Sequence, residues 1–233
     1  MNDIVNGFIQ AIELIFHTDP VLYQIVSRSL YLSGVSLFIS ALIGIPLGAW
    51  LGFKKFIGRG LVTVLLYTGM GLPPVVVGLV VYLMLSRTGP FGDLHWLFTL
   101  KAMIVAQVII SFPLVAGFTM AAVMGLDPQL ERQIRALGAT PWQTALTMLR
   151  EARTGVFVSV AAGFGAIISE VGSVMMVGGN IAGRTRVLTT AIVLETQKGN
   201  FDLAMALGII LLGLTFITNT LILWLQEGHF VRK

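Results

Sequence analysis

Cysteine is absent from the 233 residues, so the chain has no disulfide framework, thiolate nucleophile or thiolate metal site. Charge is scarce as well. Asp, Glu, Lys and Arg make up 11% of the sequence, against about 25% in soluble domains. So little charge cannot cover a globular surface with water-compatible side chains, which excludes an ordinary soluble enzyme; the high apolar content excludes a disordered tail. His17, His95 and His229 lie at three separate hydrophilic boundaries and form no metal-ligand cluster. There is no HExxH, GxSxG or serine–histidine pattern, and no lysine is followed by serine or threonine as in a nucleotide-binding P-loop. Gly163-Phe164-Gly165 lacks the third glycine of a dinucleotide fingerprint and sits in an apolar run. No catalytic residue, metal or cofactor site is therefore expected. The first ten residues lack the basic start and small-residue cleavage site of a secretory signal, so no cleaved leader is expected either.

What is present is apolar: 56% hydrophobic residues and a mean hydropathy of +0.89. Glycine at 26 and methionine at 10 suit closely packed membrane helices, whereas lipid-facing barrel strands would alternate polar and apolar residues. An all-α integral membrane protein is expected. Five segments are long enough to cross a hydrocarbon core of about 30 Å: Leu30–Gly52, Leu61–Leu85, Ala102–Val123, Gly155–Val177 and Leu203–Leu225. Residues 1–29 read as an N-terminal segment. In it Ile4, Val5, Phe8, Ile9, Ile12, Ile15 and Phe16 recur at helical spacing between polar residues, as in a helix lying at the interface. Asp19-Pro20 reads as the start of a second short helix leading into the first span. Residues 30–233 form the transmembrane domain.

The net charge of +4 is spread along the chain and marks no nucleic-acid surface. It follows the positive-inside rule instead. Lys54, Lys55, Arg59, Arg132, Arg135, Arg150, Arg153, Arg232 and Lys233 fall on one side. They outnumber Arg28, Arg87, Lys101, Arg184, Arg186 and Lys198 on the other. This puts the N-terminus outside and the C-terminus in the cytoplasm. Gly44, Gly48 and Gly52 form a small-residue ridge, as do Gly165, Ser169 and Ser173, and both permit close helix packing. Gly69, Gly71, Pro73 and Pro74 interrupt the second span, where freed backbone groups need neighbours or cavity water.

Two segments carry more information. Residues 127–153 read as Asp127-Pro128 opening a helix with Leu130, Ile134 and Leu137 on one face, a stop at Gly138, and a second helix from Pro141 through Trp142, Ala145, Leu146 and Leu149. An apolar stripe with a basic edge suits either a groove on a cytoplasmic partner or a bed of lipid headgroups. The second segment, Ser169 to Arg186, places Glu170 within the fourth span. A lipid-facing carboxylate there costs about 2.5–3.5 kcal/mol on insertion scales, so Glu170 should face protein or water, either as a helix–helix hydrogen bond or beside a pathway.

Arg135-Ala136-Leu137-Gly138-Ala139-Thr140-Pro141-Trp142 resembles the EAA loop of permease subunits from bacterial ABC importers. Where that pattern often has glutamate six residues before the glycine, Arg132 stands here, with Glu131 one place earlier; its leucine–proline is replaced by Arg150-Glu151. The resemblance implies that Glu131, Arg132, Arg135, Ala136, Leu137, Gly138, Ala139, Thr140, Pro141 and Trp142 couple the chain to an ATPase subunit. Glu170 through Ile181, together with Thr190-Ala191-Ile192, Pro73-Pro74-Val75 and Ser86-Arg87-Thr88-Gly89-Pro90, resembles molybdate-, tungstate- and sulfate-type permeases. Leu149-Arg150-Glu151-Ala152-Arg153 and Val187 through Thr196 are most similar to the tungstate branch.

This resemblance implies the type I importer permease fold with five spans, in a bacterial or archaeal inner membrane. It implies a pathway or gate at Glu170, Gly172, Ser173, Met176, Gly178, Gly179 and Asn180. Arg184 and Arg186 would meet an anion or the receptor outside, or merely be solvated. The expected partners are a second copy of the chain, two cytoplasmic ATPase subunits holding ATP and magnesium, an extracytoplasmic oxyanion-binding protein and membrane lipid. Tungstate is the expected cargo. The alternatives are molybdate or sulfate, an ATP-independent channel or secondary transporter, and a scaffold without transport.

Overall fold

Long apolar runs without charge leave the backbone no partner but itself inside a membrane, and the helix is the local solution. The computed structural model describes residues 20–54 and 56–227, together with Ile9, Ile12 and Glu13. The amphipathic segment read at the N-terminus, His17, Lys55 and the last residues from Gly228 fall wholly or mainly outside the described residues. Among the described residues there is no strand.

The helices are α1 (Pro20–Phe53), α2 (Arg59–Met70), α3 (Pro74–Leu85), α4 (Leu100–Met124), α5 (Pro128–Ala136), α6 (Pro141–Glu151), α7 (Arg153–Ile168), α8 (Gly172–Gly178), α9 (Leu188–Gln197) and α10 (Phe201–Glu227). A single 3₁₀ turn, Gly92–Leu94, lies between α3 and α4. Among them α1, α4 and residues 201–222 of α10 are long and apolar enough to cross a membrane. The number rises to five if each of two bent pairs, α2 with α3 and α6 with α7, is one span.

Two expectations change. The short helix expected from Asp19-Pro20 is not separate, because α1 runs unbroken from Pro20 to Phe53 and accommodates Pro46 inside it. No proline between Pro20 and Pro46 removes a backbone donor, and Gly34 and Gly44 do not break the helix. The fourth span expected over 155–177 is broken: α7 ends at Ile168 and α8 starts at Gly172.

The chain folds as two compact units. One comprises the chain up to Ser36, Pro73–Gln107 and Gly165–Leu221. Its apolar core joins α1, α9 and α10 through Leu22, Ile25, Leu188, Ala191, Ala206, Leu207 and Ile210. Arg28 Nη2 donates to the Gly183 carbonyl at 2.6 Å, and Ser29 Oγ accepts from the Leu188 amide at 2.9 Å. The start of α1 is thereby tied to the segment that leads into α9. Gly78 of α3 lies so close to α8 that a Cβ there would stand 2.6 Å from the Ser173 Cα.

The other unit comprises Leu37–Leu72, Val108–Phe164 and the chain from Ile222. Gly44, Gly48 and Gly52 of α1 lie directly against α4, where a Cβ would collide with Val115, Ala116, Thr119 or Val123. This is close packing by small residues, which membrane helices use where burial of apolar surface supplies little drive. Ser40 and Ser111 share a 2.6 Å hydrogen bond, and Thr119 and Ser159 one of 3.0 Å. Arg59 Nε donates to the Leu51 carbonyl at 2.9 Å, placing a cation on the otherwise unsatisfied end of α1.

Candidate functional site

The first candidate site is the α5–α6 hairpin. Asp127 caps α5, its carboxylate accepting from the Gln129 amide at 2.8 Å, and Pro128 takes the first helical position. Glu131 and Arg135, one turn apart, pair at 2.6 Å. Gly138 has φ +83°, a left-handed conformation that costs an L side chain about 1–2 kcal/mol, and it turns the chain out of α5. Thr140 then starts α6 with a reciprocal cap: its Oγ1 accepts from the Gln143 amide at 3.3 Å, and Gln143 Oε1 accepts from the Thr140 amide at 2.8 Å. The Thr-x-x-Gln signature is present in the sequence, and the expected helix start there rested on Pro141 alone.

The hairpin faces outward at its turn. Nothing in α5 is buried, Leu137 is 88% exposed and Trp142 75% exposed. Arg132, Ala136 and Gly138 are also exposed, while Glu131 and Ala139 are half-buried. On the inward side Thr144 and Met148 bury α6 in its unit.

The second candidate site is the break between α7 and α8. Here the carboxylate of Glu170 accepts the Ser173 amide at 2.7 Å, satisfying one of the free donors at the start of α8. The Glu170 carbonyl accepts from Thr189 Oγ1 at 3.0 Å, so α9 holds the other side of the break. Glu170 is 8% exposed. Beside it Ser29, Ser33, Gln107 and Thr189 line a polar cavity of about 10 Å³, the scale of one water. Of the predicted gate residues, Ser173 is fully buried, with its Oγ lacking a hydrogen-bond partner among the described residues.

Gly172 and Gly178 are close-packing positions, where a Cβ would press on Val75 and on Met103 respectively. Met176 is half-buried. Gly179 (φ +69°) and Asn180 (φ +48°) form a left-handed turn out of α8. Arg186 is brought onto Asn180, its Nε 3.3 Å from Asn180 Oδ1 and its Nη2 3.4 Å from the Asn180 carbonyl. Asn180 in turn donates to the Thr190 carbonyl at 3.2 Å. Arg184 is exposed and does not join this cluster. Arg28, which grips the same loop at Gly183, was not singled out in the sequence because 155 residues separate the pair.

Farther along, Glu195 accepts from Lys198 Nζ and from Asn200 Nδ2, both at 2.8 Å. Those two hydrogen bonds, Asn200 first, hold its carboxyl below the usual range against the opposing effect of burial, and the charges of Lys198 and Arg186 add to them. Among the described residues no group of three histidine or acidic side chains is placed to hold a metal.

Residues 44–229 match the family described as the binding-protein-dependent transport system inner membrane component. The chain is 41% identical to the tungstate uptake system permease protein TupB of Peptoclostridium acidaminophilum, over 97% of this chain and 100% of that one. It is 44% identical to a probable anion ABC transporter permease protein of Haloferax volcanii, over 86% of this chain and 88% of the other. Its backbone follows that of a bacterial ABC transporter involved in the import of the acidic polysaccharide alginate, with a TM-score of 0.73 and 21% identity over 92% of this chain and 81% of that chain. With its helical membrane architecture and the type I importer permease fold, the chain belongs to the family of binding-protein-dependent transport system inner membrane components.

Proposed function

We propose that the chain is the membrane-spanning subunit of an ATP-driven importer whose cargo is tungstate. The end-to-end similarity to a tungstate uptake permease, 41% identity over 97% of this chain, carries the assignment of cargo. In this reading two copies line one pathway, an extracytoplasmic binding protein delivers the oxyanion, and two ATPase subunits hold ATP and magnesium on the cytoplasmic side, where the C-terminus lies. The chain itself is non-catalytic. The α5–α6 hairpin is the coupling element: exposed Leu137 and Trp142 offer apolar anchors, and Gly138 sets the angle between its two helices. Glu170 braces the gate at the α7–α8 break, and Arg184 meets the anion or its receptor outside. Alternation of the pathway follows from differential binding of receptor and nucleotide to its two states.

The test is receptor-stimulated ATP hydrolysis by the assembled complex in liposomes. Tungstate-loaded receptor should stimulate hydrolysis severalfold. Gly138→Val, which puts a β-branched residue into a left-handed conformation, should abolish that stimulation while the chain remains inserted and dimeric. Full stimulation in the variant would move the coupling role elsewhere.

A further inference from the structure

The unit that contains the α5–α6 hairpin also contains a cavity of about 470 Å³. One wall is a single face of α1, from Pro46 through Trp50 and Phe53 to Lys54. This stretch covers two helical turns, about 12 Å along the axis at 1.5 Å per residue. The facing wall is α6, with Trp142, Leu146 and Leu149. The lining is mainly apolar. Lys54 stands where α1 ends, and the Glu131–Arg135 pair and Thr144 are the lining's other polar members. Since that pair is internally neutral, and Lys54 makes no ion pair among the described residues, the lining carries one net positive charge.

The depth of the cavity thus runs along the last two turns of a membrane-spanning helix, from a cation at the polar boundary into an apolar slot. Two tryptophans, the side chains favoured at membrane interfaces, border it. α6 is bent by 69° from the apolar α7 that follows. Water has few partners in such a slot, and an amphiphile with an apolar tail and an anionic head matches both of its ends.

The geometry points to a bound anionic phospholipid, one acyl chain between α1 and α6 and its phosphate at Lys54. The lipid would join the end of a spanning helix to the coupling hairpin. The inference needs the membrane location of the chain but not the identity of the transported ion.

The test uses the chain assembled with its ATPase partner in nanodiscs of equal phosphatidylglycerol and phosphatidylcholine. The complex is then moved into detergent, and retained lipid is read by native mass spectrometry. Phosphatidylglycerol should be retained severalfold over phosphatidylcholine. Lys54→Glu should abolish that preference, and Ala145→Phe, which fills the slot, should remove retained lipid from a complex that still elutes with its ATPase. If Ala145→Phe does not assemble, Lys54→Glu alone decides. Equal retention of the two lipids by the unaltered chain, no retained lipid at all, or an undiminished preference in Lys54→Glu would overturn the assignment.

Discussion

Glu170 sets the residue-scale account, because it is an acidic side chain inside an apolar unit and its surroundings make that tolerable. Its carboxylate takes the Ser173 amide, and its carbonyl takes Thr189 Oγ1, so one residue closes both sides of a helix break. A carboxylate used this way braces a backbone; it does not attract an anion. Glu195 shows the same chemistry where it can be titrated. Its carboxyl is held low by Asn200 and Lys198, so the folded state binds its proton less readily than the unfolded chain. That stabilisation is fully present above the ordinary glutamate value, about 4.3, and is lost as pH falls through the lower folded value. Because Lys198 is half exposed, solvent screening limits the gain to the order of 1 kcal/mol. Glu195→Gln should lower the Tm by about 2–4 °C at pH 7 and flatten its decline in acid. Thermal melts in detergent from pH 7 to 3 read this directly, and an acid limb unchanged by the substitution would remove Glu195 from the account.

At the scale of elements, the small-residue seam of α1 determines how the second unit packs. A Cβ at Gly48 would collide with the Ala116 carbonyl and stand 2.9 Å from the Thr119 Cβ. Gly48→Val should therefore cost about 1–3 kcal/mol by overpacking. Gly34→Val on the same helix, where a Cβ meets nothing within 4 Å, should be nearly neutral. Melting the two variants side by side checks it; equal losses would mean that helix propensity, not the contact with α4, decides.

The glycine seam was legible because its spacing of four is a helical period. The same face continues as Ser29, Ser33, Ser36 and Ser40, all buried, and that extension was equally readable. The break at Ser169–Val171 was not. Ser169, Glu170 and Gly172 interrupt the apolar run, but polar and small residues also pack inside unbroken membrane helices; what stops this one is Glu170 bonding forward to Ser173 while α9 reaches back with Thr189, a contact between residues 19 apart in sequence. The hairpin was readable almost throughout because Asp127, Pro128, Gly138 and Pro141 are local signals that need no distant partner.

At the scale of the whole molecule, 11% charged residues made a membrane protein the reading, and the long apolar runs and abundant glycine made it helical. Function came from elsewhere: the hairpin motif and the residues around Glu170 resembled a family, and the match over residues 44–229 establishes membership. The structure adds that Leu137 and Trp142 of the hairpin stand exposed. It also adds that the residues around Glu170 are mostly committed to holding the backbone in place. A subunit built in this way would not select its own cargo, so cargo choice should follow the binding protein.

The central claim, an ATP-driven tungstate importer, is tested most directly by uptake into liposomes holding this chain, its ATPase partner and the binding protein, with molybdate and sulfate as competitors. The account predicts tungstate accumulation that requires ATP and all three components and is displaced only weakly by the competitors. Accumulation without ATP or without the ATPase partner would contradict it.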